Sequence, residues 1–282
     1  MTNNFSFDIS EFDANVRPQD DLFKHLNGVW VREFEMPADQ AVHGAFHELR
    51  DKSEADVRAI LEEAMANPKP GVSQQIGDMY ASFLNEDLAN SLGAKPILAE
   101  LDNIDAASFA ELSELQGKLS RDGIDNIFGV FINNDPGDPT RYIPYVYQAG
   151  LGLPDEAYYH EEKYSEFREA YLPYIAKMLE HAGWSSAQAA ADAESIMQFE
   201  TAVAKLHWTV VETRQRDKTY NLRSFAELKA MTPTIDWAAW AKGSAVSADV
   251  LAEVNVMTPS FFEQLHEVYN EANVETVKLW LK

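Results

Sequence analysis

Apolar residues recur at helical spacing along the first hundred residues of the chain. Ser53 and Asp56 have the spacing of a capping box, and the stripe that follows them keeps the i, i+3, i+4, i+7 pattern of one helix face. That stripe comprises Val57, Ile60, Leu61, Ala64 and Met65. Asn67-Pro68 ends it, and a second stripe of the same spacing follows Ser73. The second stripe comprises Ile76, Met79, Tyr80, Phe83 and Leu84. The pattern predicts two amphipathic helices that begin near Ser53 and Ser73.

Later in the chain, serine residues precede glutamates by three positions, which is the spacing of a helix amino-terminal cap. These pairs are Ser108 with Glu111, Ser224 with Glu227 and Ser260 with Glu263. Each pair predicts the start of a further helix. A helical stripe at i, i+3 and i+7 also predicts a helix from Asn273, with Val274, Val277 and Leu281 on one face.

Residues 126–147 break the helical pattern, because β-branched and aromatic residues dominate there. A dense group of turn-forming residues, 134–139, divides this region in two. The region predicts two short strands with a tight connection, and Val254–Met257 predicts a shorter extended piece. The fold class predicted from these patterns is mainly α, with a small β element around 126–147.

The chain stops at Lys282, about two turns into its last predicted helix, and no Gly, Asn or Pro ends that helix. Two explanations are open at this point: the chain is truncated before a further domain, or its terminal helix simply frays.

Composition narrows the function classes. The 282 residues are 46% hydrophobic, which is enough for a packed core, and they carry a formal net charge of -23. Such a charge disfavours nucleic acid and anionic membrane surfaces as partners. The chain has no cysteine, no basic or apolar signal at its start, and no apolar run of the roughly 20 residues that a membrane span needs. A cytoplasmic protein is therefore expected.

Histidine positions decide whether this chain can hold a catalytic zinc ion. A metalloprotease helix of the H-E-x-x-H kind presents two histidines four residues apart with a glutamate between them. Three of the seven histidines precede a glutamate, but the residue four positions on is Asp51, Tyr164 or Asn270. His43 and His47 are four apart, yet no glutamate lies between them, so an exposed or capping role is favoured over a metal role. The sequence predicts that this chain binds no metal and has no catalytic residue.

Four ordered motifs are more specific than composition. They are R-P-Q-D-D-L-F-K-H-L-N-G-V-W at 17–30; M-P-A-D at 36–39 with G-A-F-H-E-L-R-D at 44–51; Q-A-G-L-G-L-P-D-E-A-Y-Y at 148–159; and R-D-K-T-Y-N at 216–221 with I-D-W at 235–237. In this order and spacing they resemble the amino-terminal, non-catalytic portion of the neprilysin family of zinc metalloendopeptidases, which includes bacterial oligopeptidase O.

The resemblance implies the helical lobe of a two-lobed protease, in which one lobe carries zinc and the other closes a chamber that admits peptides. In that family the zinc ligands come from H-E-x-x-H and a downstream E-x-x-x-D. Both motifs belong to the carboxyl-terminal part of the family's proteins, which this sequence is expected to lack, so the resemblance assigns no metal or catalytic residue here. Residues 1–282 are accordingly expected to form the amino-terminal neprilysin-like region, truncated before the zinc-binding catalytic domain. Zinc is then a cofactor of the parent enzyme, and the partners are peptide substrates and the missing catalytic domain.

The resemblance also supplies two candidate substrate-binding residues, Phe46 and Arg50, in the segment that lies near the family's substrate cleft. A fixed guanidinium there can hold a peptide carbonyl or carboxylate. The alternative is that Phe46 packs in a core and Arg50 pairs with a nearby acid. Some relatives carry another arginine where this chain has Ala41-Val42, so a preference for peptides with a free carboxyl terminus is not carried over.

Two functions therefore stay open. The chain is the substrate-enclosing part of a zinc metalloendopeptidase that hydrolyses small peptides, inactive on its own, or it is a stand-alone helical module that binds peptides without cutting them.

Overall fold

The computed structural model of the protein describes residues 9–106 and 108–282, and helices dominate in it. The chain divides into two units, one ending at Ser91 and one spanning Leu92–Lys282. The helices of the first unit are α1 (Leu22–Glu33), α2 (Ala45–Ala66), α3 (Val72–Phe83) and α4 (Glu86–Leu92), whose last residue passes the division. Within the described ranges no helix combines the length and the apolar character that crossing a bilayer requires.

The second unit adds eleven α-helices and four strands to the described part of the chain. Its helices are α5 (Lys95–Asp102), α6 (Phe109–Arg121), α7 (Ala157–His160), α8 (Ser165–His181), α9 (Ser186–Ala204), α10 (Val210–Thr213), α11 (Arg216–Thr219), α12 (Phe225–Met231), α13 (Trp237–Gly243), α14 (Pro259–Gln264) and α15 (Val274–Leu281). Its strands are β1 (Phe128–Asn134), β2 (Tyr142–Gln148), β3 (Leu222–Ser224) and β4 (Glu253–Val256). Short 3₁₀ segments lie at Ile9–Glu11, Glu162–Tyr164, Ala248–Leu251, Leu265–Glu267 and Glu271–Asn273.

The predicted fold class, mainly α with a small β element, is confirmed. β1 and β2 pair antiparallel from Phe128 opposite Gln148 to Asn134 opposite Tyr142. The extended piece predicted at Val254–Met257 is β4, which pairs parallel with β2. The sequence patterns missed β3, because three residues are too few to show a period of two. β3 pairs antiparallel with β4, so the sheet has the order β1-β2-β4-β3.

Helix starts were predicted with mixed success. Ser108 caps α6 by accepting from the Glu111 amide, and Ser224 forms a complete capping box with Glu227 at α12. The start predicted at Ser53 is wrong, since α2 begins at Ala45, two turns earlier. The intervening residues are mostly good helix formers, and a helix does not need a capping side chain to continue through them.

Two other predicted helix starts fall close to the observed ones. The cap predicted at Ser260 is two residues late, because Thr258 is the cap and Pro259 occupies the first turn of α14, where its missing N–H is not needed. The helix predicted from Asn273 is α15, which buries Val277 and Leu281.

The first unit has few buried side chains, and its apolar stripes are largely exposed. Four side chains on α2 and α3 keep more than half of their surface open to solvent: Val57, Ile60, Met79 and Phe83. The helices meet at Gly77, where an added Cβ would lie 2.4 Å from the Ala64 carbonyl oxygen. The two helices therefore pack through small residues and leave their larger apolar side chains outside.

The core of the second unit lies between the sheet and the crossing of α6 with α13. Phe128 and Val146 of the sheet are buried there, together with Trp237 and Trp240 of α13. The helices cross at Gly117 and Gly243, where the backbones touch. A second cluster of buried side chains joins α8 to α9, and its members are Ile175, Leu179, Ala189, Ala193 and Ile196.

Candidate substrate-binding site

Both candidate residues lie in the first two turns of α2. Phe46 is 87% exposed, so the alternative that it packs in a core does not hold in this structure. Arg50 stands four residues later, which places both side chains on one face of the helix. The result is an exposed aromatic ring with a guanidinium one turn further along.

Arg50 is paired with acids of its own helix. One of its terminal nitrogens donates to Asp51 Oδ1 at 2.9 Å, and its Nε lies 3.5 Å from Glu54 Oε1. The hydrogen bond to Asp51 raises the pKa of Arg50, so the guanidinium stays charged. More than half of the Arg50 side chain is exposed, so these pairs leave donors free for a ligand.

A stack of rings holds the segment just before α2. Phe34 stacks on both Trp30 and His43, with centroid distances of 4.7 Å and 4.3 Å, and the Trp30 and His43 centroids are 6.2 Å apart. The His43 Nδ1 atom lies 2.8 Å from Gln40 Oε1. This stack ties the end of α1 to the residues before α2.

The histidines of this chain do not fit a zinc site. His43 precedes α2 and His47 lies in its first turn, and their rings stack with centroids 5.8 Å apart. His25 and His207 instead contact backbone carbonyls, of Val16 at 2.7 Å and of Ala149 at 3.0 Å. In the described ranges no group of three or more His, Cys, Asp or Glu side chains is arranged to hold a metal ion. No catalytic step can therefore be derived from these residues.

In the second unit, a buried carboxylate organises the glycine-rich motif at 148–159. Glu200 of α9 is 3% exposed. Its Oε2 accepts from the Tyr159 hydroxyl at 2.7 Å, and its Oε1 accepts from the Trp280 indole at 3.0 Å and the Tyr171 hydroxyl at 3.2 Å. Burial raises the pKa of Glu200, although the donors around it act in the opposite direction. This carboxylate joins α7, α8, α9 and α15 at one point.

Two glycines of that motif are required for different physical reasons. Gly150 has a φ of 93°, in the region that favours glycine. A Cβ at Gly152 would lie 1.8 Å from the Tyr171 hydroxyl oxygen, so only glycine lets the loop approach Tyr171 this closely. The Leu153 amide then donates to the Tyr159 hydroxyl at 3.0 Å.

The other motifs of the second unit also support structure. Tyr220 donates to Asp135 Oδ1 at 2.7 Å, and Arg141 donates to Asp135 Oδ2 at 2.8 Å, which fixes the β1–β2 connection. These contacts lower the pKa of Asp135 to about 2. Asp236 caps α13, and Trp237 is fully buried.

Sequence reasoning missed the role of Glu200, although a signal was present. Ile196, Phe199 and Val203 form an apolar helix face, and Glu200 lies on that same face. An acid on an apolar face predicts a buried carboxylate that needs several donors.

Comparison with known proteins identifies the family. Residues 18–282 match the model of peptidase family M13. Among curated relatives, the endothelin-converting enzyme homolog of Locusta migratoria is 24% identical over 275 residues, covering 92% of this chain and 38% of its own length. Human endothelin-converting enzyme 1 is 24% identical over 246 residues, covering 81% of this chain and 31% of its own. The chain thus spans about a third of the length of these relatives.

Comparison with solved structures points to the same family. The zinc metalloprotease Zmp1 of Mycobacterium tuberculosis, determined with an inhibitor, is 39% identical and superposes with a TM-score of 0.85, over 97% of this chain and 42% of that one. PepO of Lactobacillus rhamnosis HN001 shares the fold, with a TM-score of 0.72 at 20% identity, over 94% of this chain and 42% of its own. The predicted resemblance is confirmed, and the chain belongs to the amino-terminal region of peptidase family M13.

Proposed function

We propose that this chain is the amino-terminal, substrate-enclosing region of a zinc metalloendopeptidase that hydrolyses small peptides. The observation that carries the proposal is the family match over residues 18–282. In this proposal a further part of the parent protein supplies the zinc ligands, since the 282 residues contain no H-E-x-x-H. The chain alone is then inactive. The predicted cytoplasmic location is kept as part of the proposal, and fractionation of producing cells tests it.

The exposed apolar side chains of the first unit support the idea that further chain covers this region. Phe83 is 81% exposed and Met79 is 77% exposed, both on α3. Apolar side chains grouped in this way on a surface are typical of interfaces. In the proposal, part of this surface faces the catalytic domain and part faces the substrate chamber.

Zinc content and turnover test the proposed function. Purified as 282 residues, the chain is expected to hydrolyse no peptide and to hold no stoichiometric zinc, whereas a parent protein with H-E-x-x-H does both. Elemental analysis and a mixed-peptide cleavage assay measure these properties. One tightly bound zinc per 282-residue chain, or cleavage by it, contradicts the proposal. A parent protein without a zinc site, combined with peptide binding by calorimetry, favours the stand-alone binding module instead.

Phe46 and Arg50 are proposed to contact the bound peptide. The exposed ring offers an apolar surface for a substrate side chain, and the guanidinium offers charge-assisted hydrogen bonds to a peptide oxygen. Because such a bond contributes about 1.5 kcal/mol, Arg50→Met in the parent enzyme is expected to raise KM about tenfold. Phe46→Ala is expected to raise KM in the same direction, and steady-state kinetics on a short peptide measures both.

A matched control for Arg50 is present on the same helix. Arg58 lies two turns further along α2 and pairs with Glu62 at 2.7 Å, much as Arg50 pairs with its own neighbours. Arg58→Met is expected to leave KM unchanged. Equal effects of the Arg50 and Arg58 substitutions argue against a substrate contact.

A further inference from the structure

A cavity of about 280 Å³ lies in the second unit, beside strands β1 and β2. Three aromatic side chains and two acids are among its lining residues: Phe131, Tyr147, Trp208, Asp155 and Glu156. Among the described residues that line it there is no Lys, Arg or His. The walls therefore combine π-faces with negative charge, without a cation of the protein to balance it.

The two acids have no basic partner in the described part of the chain. Glu156 is only 8% exposed, and its Oε2 accepts from the Ala157 amide at 2.9 Å. Asp155 Oδ1 accepts from that same amide at 3.0 Å. Within residues 9–106 and 108–282 neither acid has a salt bridge to a basic side chain. Two carboxylates thus share one N–H donor, although a carboxylate as buried as Glu156 normally has a charged partner.

The aromatic walls are fixed in place. Phe131 and Tyr147 meet edge to face, with their ring centroids 5.6 Å apart. The Trp208 indole donates to Ser260 Oγ at 2.6 Å, and its backbone amide donates to Gln148 Oε1 at 2.8 Å. Fixed aromatic faces near a carboxylate attract cations, because the ring quadrupole is negative on its face.

An independent observation points to an absent ligand. Thr258 also lines the cavity, is 1% exposed, and its hydroxyl has no hydrogen-bond partner in the described part of the chain. Buried polar groups without a partner are few in folded proteins, and each needs a reason. A hydroxyl oxygen can accept a hydrogen bond from an ammonium or guanidinium group.

We propose that this cavity binds a cationic group, an ammonium or a guanidinium carried on an apolar stem. The stem contacts the rings, and the charge is held by Glu156 and Asp155. An anionic ligand would be repelled by both acids, and a neutral one would leave them unpaired. The cap that Glu156 provides for the Ala157 amide engages only one of its carboxylate oxygens, so this role is compatible with a ligand. The site goes beyond the proposed peptidase function and does not depend on it.

Benzylamine and benzyl alcohol form a matched pair of ligands for the test, because they share the ring and differ in charge at neutral pH. We expect the 282-residue chain to bind benzylammonium at least tenfold more tightly than benzyl alcohol, measured by calorimetry. Glu156→Gln keeps an oxygen for the Ala157 amide, so we expect it to fold. It is expected to weaken benzylammonium binding about tenfold and to leave benzyl alcohol binding unchanged.

Two further variants keep the test decisive. Glu162→Gln removes the same charge from an exposed position just after α7 and is expected to have no effect. Tyr147→Leu removes one π-face and is expected to weaken the binding of benzylammonium more than the binding of benzyl alcohol. This variant keeps the test valid if Glu156→Gln does not fold. Equal affinity for the two ligands, equal effects of the Glu156 and Glu162 variants, or full binding by Glu156→Gln overturns the proposal.

Discussion

Replacing Gly117 with alanine is expected to lower the free energy of unfolding of the second unit by about 3 kcal/mol. A Cβ at Gly117 would lie 2.1 Å from the Trp240 carbonyl oxygen and 2.8 Å from the Ser244 amide nitrogen. These are backbone atoms of α13 and its cap, so they cannot rotate away as a side chain can. The helices must separate, and that separation disturbs the core packed between α13 and the sheet. The higher helix propensity of alanine offsets only about 1 kcal/mol.

Gly243 makes the reciprocal contact. Its added Cβ would lie 2.0 Å from the Glu114 carbonyl oxygen on α6. Gly243→Ala is therefore expected to cost about as much as Gly117→Ala. The double variant is expected to lose less unfolding free energy than the sum of the two single losses, because one separation of the helices relieves both clashes.

Urea unfolding followed by tryptophan fluorescence measures this cost. Five of the six tryptophans lie in the second unit, so the signal reports mainly on that unit. Ala238→Ser is the control, since it adds one heavy atom to α13 at an exposed position. The control is expected to change stability by less than about 0.5 kcal/mol. Unchanged stability of Gly117→Ala contradicts the close helix crossing.

Replacing Glu200 with alanine is the second large effect we expect, a loss of about 4 kcal/mol. The substitution removes the acceptor shared by the Tyr159 hydroxyl, the Tyr171 hydroxyl and the Trp280 indole. These donors then stay without a partner in a region from which water is largely excluded. The truncated side chain also leaves a cavity where four helices meet. Glu194→Ala, an exposed acid on the same helix, is expected to cost less than about 0.5 kcal/mol.

The pH dependence gives this prediction a second readout. Because burial raises the pKa of Glu200 above its ordinary value of 4.5, the folded state keeps the proton to higher pH than the unfolded state does. The stability that comes from this shift is complete below pH 4.5 and is lost as the pH rises through the folded pKa. Glu200→Gln cannot titrate, so it is expected to lack that loss in unfolding curves measured across this range. Identical pH profiles of the two proteins contradict the burial of an ionisable Glu200.

The sequence predicted those elements that depend on residues close together along the chain. The caps Ser108 and Ser224 act through hydrogen bonds three residues away, and the strands at 126–147 are long enough to show their residue preference. Phe46 is different, because an apolar residue at helical spacing is equally compatible with a core and with an exposed contact surface. Its exposure depends on what packs against α2, which spacing does not encode.

The candidate sites also differ in how far the sequence could predict them. The four motifs were sufficient to predict the family, and the placement of Phe46 and Arg50 on one helix face follows from their spacing. The clusters around Glu200 and Glu156 could not be assembled from the sequence. Tyr159 and Trp280 reach Glu200 from positions 41 residues before it and 80 residues after it. Only the tertiary fold brings such residues together.

The parallel pairing of β2 with β4 has a consequence for how the chain folds. Tyr145 pairs with Asn255, about 110 residues later, whereas β1 and β2 are joined by a short connection. The hairpin can form soon after it leaves the ribosome, but one edge of β2 stays open until most of the second unit has been synthesised. An open strand edge is a site of aggregation. We therefore expect chains that end before β4 to aggregate during synthesis, and closure of the sheet by β4 to be a late folding step.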